Sequence, residues 1–285
     1  LDCHSALSLA LDLYGEDHPS SVNARRQLAA IHADLGRFRE AGDAYRSSQR
    51  WLIARVGRQH EDVARDDNSL GIVAWELGDF ETALRHLDRS LGVLRKNPDS
   101  WLYQGVLFNK GMVLHDAGRN EAALPLLLQV EKLRIASLGK DHGRVGDTDR
   151  MIGVVLAALG QDTDARLRLV NAVKLTRAGA GYGPAHPHTR RAELSLALFD
   201  LSHNDSPAPS ISTQLEQLAG LPKSDPELRK TAWLAATAIA NQRCREPGFG
   251  GGPEQLDAIA KEIKAALPEG GAFTREFERL RSRCR

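Results

Sequence analysis

Apolar residues over the first two-thirds of the chain fall at intervals of four and three. Leu28, His32 and Leu35 stand eight, four and one residues before Gly36. The same places before Gly78 hold Leu70, Ala74 and Leu77; before Gly160, Ile152, Leu156 and Leu159; before Ser202, Leu194, Leu198 and Leu201. Before Gly118, Lys110 breaks the first place, while Leu114 and Ala117 keep the others. Such intervals put each set on one side of a helix. The marker residues Gly36, Gly78, Gly118, Gly160 and Ser202 are separated by steps of 42, 40, 42 and 42. A second marker has the same period. Gly15-Glu16-Asp17-His18-Pro19 recurs as Gly57-Arg58-Gln59-His60-Glu61, Gly139-Lys140-Asp141-His142-Gly143 and Gly183-Pro184-Ala185-His186-Pro187. In the third unit Asn97-Pro98-Asp99 replaces it, which accounts for the short step.

Each unit predicts two helices. The first begins at the His-Pro element, where Pro19 and Pro187 suit a first turn whose backbone N–H has no partner anyway. It ends at the marker glycine, which can take the left-handed conformation that closes many helices. The second starts near Phe38, Phe80, Asn120 or Asp162 and ends at Gly57, Gly139 or Gly183. Small residues recur seven before and five after the turn: Ala29 with Ala41, Gly71 with Ala83, Gly111 with Ala123, Gly153 with Ala165. Side chains held to Gly or Ala in the same two places imply a close crossing of the paired helices, which anything larger would force apart.

Composition adds exclusions. Lys and Arg number 38 against 37 Asp and Glu, without the basic excess of nucleic-acid or membrane-surface proteins. No apolar run reaches the roughly 18 residues that cross a bilayer. The opening Leu1-Asp2-Cys3-His4 has neither a starting Met nor a signal segment and reads as a cut from a longer protein. Cys3, Cys244 and Cys284 form no CxxC and no metal spacing, so reduced thiols in a cytoplasmic protein are expected, with a Cys244–Cys284 bridge as the alternative. His18, His60, His142 and His186 recur at the repeat period. Equivalent residues of stacked units lie about 10 Å apart, too far to share one ion. A capping role is expected for them, with no metal and no cofactor. Gly248-Phe249-Gly250-Gly251-Gly252 lacks the Lys-Ser or Lys-Thr of a phosphate loop and reads as a connection. No nucleophile motif is present, and the chain is expected not to be an enzyme.

The Leu28-Ala29 and Leu70-Gly71 pairs, the turn glycines, the Ala five residues on and the Gly-x-x-His-Pro link resemble the tetratricopeptide repeat, in the 42-residue form of kinesin light chains and bacterial signalling proteins. The resemblance covers residues 1–202. It implies an all-α, right-handed solenoid of helix-turn-helix repeats whose first helices line a concave groove that binds peptides. After Ser202 the pattern changes. Ser206–Ser210 reads as a linker with Pro207 in a small-residue place, followed by a short helix near Ser212–Leu218. Asp225 opens a degenerate sixth unit with Trp233 buried; Leu256, Ile259, Ile263 and Leu267 form its partner helix. Phe273–Arg283 is a last amphipathic helix. Residues 203–285 are thus expected to be a degenerate repeat and cap.

Function is expected in the groove. Residues 13, 10, 6 and 3 before each turn share a face that includes Arg26, Arg65, Asn68, Ile72, Trp75, Phe108, Met112, His115 and Arg150. Arg can hold a carboxylate bidentately. Trp and Met recur at binding hot spots and adaptable surfaces. The family's clamp for a C-terminal carboxylate is absent, because Ala30, Ile72, Met112 and Val154 take its places. The expected partner is a protein or peptide, not nucleic acid or a membrane. The alternative is a regulatory region that binds a signal peptide and controls an attached kinase or transcription regulator.

Overall fold

A computed structural model describes residues 12–15, 18–203, 209–245, 251–267 and 271–282. Among them every named element is a helix, and the only β-type contact is an isolated bridge between His142 and Ala180. The helices are α1 (Pro19–Asp34), α2 (Phe38–Val56), α3 (Glu61–Glu76), α4 (Phe80–Leu94), α5 (Trp101–Asp116), α6 (Asn120–Leu138), α7 (Gly143–Ala158), α8 (Asp162–Ala178), α9 (Pro187–Ser202), α10 (Pro209–Ala219), α11 (Pro226–Arg245), α12 (Gly252–Ala266) and α13 (Ala272–Arg281). The fold is an all-α solenoid in which odd-numbered first helices alternate with even-numbered second ones as far as α12. Two compact units divide it. One holds residues 1–113 and 264–272, the other 114–263 and 273–285.

The recurring histidines set the helix starts. The ring Nδ1 of His18, His60, His142 and His186 accepts the backbone N–H two residues on, at 3.2, 3.1, 3.1 and 3.2 Å. Each histidine is extended, so its ring supplies an acceptor that a helix start lacks. The turn glycines close the first helices. Gly36, Gly78, Gly118 and Gly160 have φ of 71°, 82°, 77° and 73°. The next residue's N–H then reaches back to the carbonyl five before it, as Arg37 to His32, Asp79 to Ala74, Arg119 to Leu114 and Gln161 to Leu156, at 2.8–2.9 Å. A side chain at the glycine would strain this left-handed closure.

The close crossings lie where small residues recur. Ala29, Ala41, Ala83, Ala123 and Ala165 are fully buried. A Cβ on Gly71 would stand 2.9 Å from Leu87, and one on Gly153 would stand 2.8 Å from Leu169. The last apolar residue before the turn behaves differently from expectation. Leu35 and Leu77 are 49% and 40% exposed, because the backbone is already turning there.

The link from α8 to α9 also differs. Its helix ends at Ala178, not at Gly183. Gly179 and Ala180 run extended past the start of α7, where the Gly143 N–H donates to the Ala180 carbonyl at 3.0 Å. A Cβ on Gly179 would collide with the carbonyls of Leu175 and Asp141. In the second unit α10 packs on α9 and on α11, so a fifth pair forms despite the proline-rich start. The Ser206–Pro207 stretch and the glycine run at 248–250 lie outside the described residues. Asp225 caps α11 by accepting from the Glu227 and Leu228 N–H groups at 2.9 and 3.0 Å. Trp233 is 2% exposed, as expected, and its Nε1–H donates to Glu262 at 2.8 Å.

Cys244, on α11, is disulfide-bonded, which corrects the expectation of a reduced thiol. Cys3 and Cys284 lie outside the described residues. No described helix is long and apolar enough to cross a membrane.

Candidate functional site

In each unit the first helices touch through residues one repeat apart. In the first unit, Arg26 of α1 places Nε 2.8 Å from Asp66 and Nη1 3.8 Å from Asp62, both on α3. Asn109 of α5 donates to Asn68 of α3 at 3.0 Å. The guanidinium of Arg65 lies 5.8 Å from the ring centre of Trp101. In the second unit, His188 of α9 lies 3.1 Å from Asp147 of α7. Contacts between first helices thus join Arg26 to α3 and Asn68 to α5 in the first unit, and α7 to α9 in the second.

Its charges are mostly paired within the protein. Arg65 reaches Glu61 at 3.3 Å and Asp62 at 3.6 Å. Asp66 also accepts from the Ser48 hydroxyl at 2.7 Å. Burial pushes its carboxyl above the usual carboxylate value, against the pull of Arg26 and Ser48. Arg150 lies 3.6 Å from Asp147, which is also 3.9 Å from Arg134. Burial alone would raise Asp147. The hydrogen bond from His188, with the charges of Arg150, His188 and Arg134, outweighs it and holds the carboxyl well below its ordinary range. Burial lowers the Arg150 and Arg134 guanidinium groups, and Asp147 opposes that in both.

The apolar candidates divide. Phe108 is buried, against its expected place as a surface anchor. Ile72, Trp75 and Met112 stay half-buried, as do Asn68 and His115. His115 is held by Asn120, its Nδ1 lying 2.7 Å from Oδ1. Trp101, at the start of α5, is 62% exposed and was not among the predicted residues. The period gives no signal for it, because the other first helices carry no aromatic there.

Two tetratricopeptide-repeat family models match residues 27–96 and 68–136. Residues 27–136 carry tetratricopeptide repeats. The repeats resemble solved arrays at low identity. A kinesin light chain from Podosopora anserina with nearly identical repeats superposes with a TM-score of 0.56 at 17% identity, over 75% of this chain and 96% of that one. A Rap protein complexed with competence and sporulation factor gives 0.64 at 12% identity, over 99% and 79%. The Rap conjugation gene regulator of plasmid pLS20, in complex with the Phr* peptide, gives 0.62 at 12% identity, over 93% and 73%. No curated protein sequence matches this chain.

The tetratricopeptide face is not bare. In the first unit, Leu267 lies against Gly36, and the N–H of Ala272 donates to Glu76 at 2.6 Å. In the second, α13 lies on first helices. Arg191 of α9 donates to Glu276 at 2.5 Å, and Arg279 donates to the Asp116 carbonyl at 3.2 Å. Phe273 sits 5.7 Å from the Trp233 ring, and Phe277 is 1% exposed. The last amphipathic helix expected over Phe273–Arg283 is α13, Ala272–Arg281. Only its amphipathic spacing was readable; which surface it would cover depends on where the chain turns back.

Proposed function

We propose that the array is a protein-interaction module that binds a peptide segment of a partner on its first-helix face. The observation that carries this is the half-buried row of Ile72, Trp75 and Met112 on α3 and α5, beside the Asn68–Asn109 amide pair. The apolar groups can take side chains, and the amides can bond an extended main chain. Exposed Trp101 enlarges the same surface. Because Arg26, Arg65 and Arg150 already have acidic neighbours, the preference for an acidic ligand is weak. No catalytic role is proposed.

A second reading is favoured by the two Rap proteins, one complexed with competence and sporulation factor and the other with the Phr* peptide. In it the array senses a short signal peptide and controls an attached or separate kinase or transcription regulator. A bacterial, cytoplasmic setting would fit that reading. The disulfide at Cys244 removes the thiol argument for the cytoplasm, since such bonds persist mainly in oxidising compartments.

The test is a pull-down with the purified chain followed by titration of the captured partner. Trp75→Ala should weaken binding by about 2 kcal/mol or more with helicity unchanged. Arg65→Glu should slow association and reduce its dependence on salt. Binding that ignores both substitutions moves the site off this face.

A further inference from the structure

The segment lying on the first helices of the second unit is itself a short amphipathic helix, with a definite chemistry. Phe273 and Phe277, one turn apart, face inward, and Phe277 is almost fully buried. Between them Glu276 meets Arg191 at 2.5 Å, and its charge also acts on Arg150. Two residues beyond Phe277, Arg279 reaches the Asp116 carbonyl. Asn241 donates to the Leu280 carbonyl at 2.6 Å, and Arg281 pairs with Asp257 at 2.5 Å. At ten residues the helix is too short to be stable in isolation, so the surface beneath it maintains it. The Glu276, Arg279 and Arg281 contacts all include a partly exposed partner, and contacts of that kind contribute little each. Two aromatic anchors therefore hold a segment that a similar one can displace.

We propose that α13 is an internal stand-in for the partner. The first-helix face of the second unit takes a short amphipathic helix with two aromatic residues four apart and an acid just before the second, and α13 competes with the incoming segment for that place. This rests on the reading that the first-helix face binds peptides, and it adds a helical segment on the second unit to the extended one on the first. Glu276 on Arg191 and Arg279 at Asp116 fix the direction in which the segment lies, since reversing it would set like charges together. Occupancy by α13 lowers apparent affinity in proportion to the fraction of molecules whose face is open.

The experiment uses the full chain and a fluorescein-labelled peptide of residues 271–282. The intact chain should bind this peptide weakly. Glu276→Arg in the chain should loosen its own helix, seen as faster amide exchange over 273–281, and tighten peptide binding about tenfold or more. Glu276→Ala should act in the same direction by less, and circular dichroism checks that both variants fold. In the Glu276→Ala chain, adding Arg191→Glu should weaken the peptide, and a peptide carrying Glu276→Arg should bind that chain again. A peptide with both phenylalanines replaced by alanine should not bind. The proposal is overturned if intact and Glu276→Arg chains bind the peptide equally, if neither binds it, or if the charge exchange fails to restore binding. Such a failure, with Trp75→Ala and Arg65→Glu still weakening a captured partner, removes α13 as the template and leaves the general reading standing. The reverse pattern removes the general reading alone.

Discussion

At the residue scale the decisive group is Asp147. It stands thirteen residues before Gly160, a place that the repeat period assigns to the groove face. The structure buries it and surrounds it with His188, Arg150 and Arg134. A period gives direction around a helix but not depth, and His188 arrives from the next repeat, 41 positions on. Removing one partner of a buried pair leaves the others uncompensated, so Asp147→Asn should cost about 3–5 kcal/mol in urea unfolding. The pH dependence follows from the sign of the shift. A carboxyl lowered in the folded state contributes stability above its unfolded value of about 3.9, and that stability is lost as pH falls below it. His188→Ala should therefore destabilise the protein at neutral pH, with the difference from the parent shrinking below about pH 4. Asp66 acts oppositely. Its raised carboxyl makes its contribution fall as pH rises from about 3.9 through the folded value.

At the scale of the helix, most of the start and stop signals were readable because they are local. The His-Pro element and the turn glycines each act within about one turn of the residue that carries them. His60→Ala should remove the Nδ1 acceptor for Asp62 and cost about 0.5–1 kcal/mol, measured by unfolding and by faster exchange at the start of α3. Gly153→Val should cost about 1–3 kcal/mol, because Leu169 already fills the space a side chain would need. Gly179 shows where local reading stops. The sequence offers three glycines, Gly179, Gly181 and Gly183, and the repeat register favours the last. The helix ends at the first because the chain must pass beside the backbone of Asp141 and Gly143, which lie far away in sequence. The same limit applied to α13, whose amphipathic pattern was plain while the face it covers was not.

At the scale of the whole molecule, repetition carried the inference. Two independent markers in register predicted the paired helices through residue 202, and the helices lie where those markers put them, α8 ending early excepted. Beyond residue 202 the register weakens, yet Trp233 is buried and α11 continues the packing beside α9 and α10. Deleting residues 225–285 should lower the melting temperature and solubility by uncovering those helices; a truncated chain that melts like the parent would show that they need no cover. The central claim is that the first helices form the working surface. Amide hydrogen exchange of the intact chain, with and without its captured partner, tests this most directly. The account predicts that protection on binding concentrates in α3, α5, α7 and α9. Protection concentrated in α4, α6 and α8, with the first helices unchanged, would contradict it.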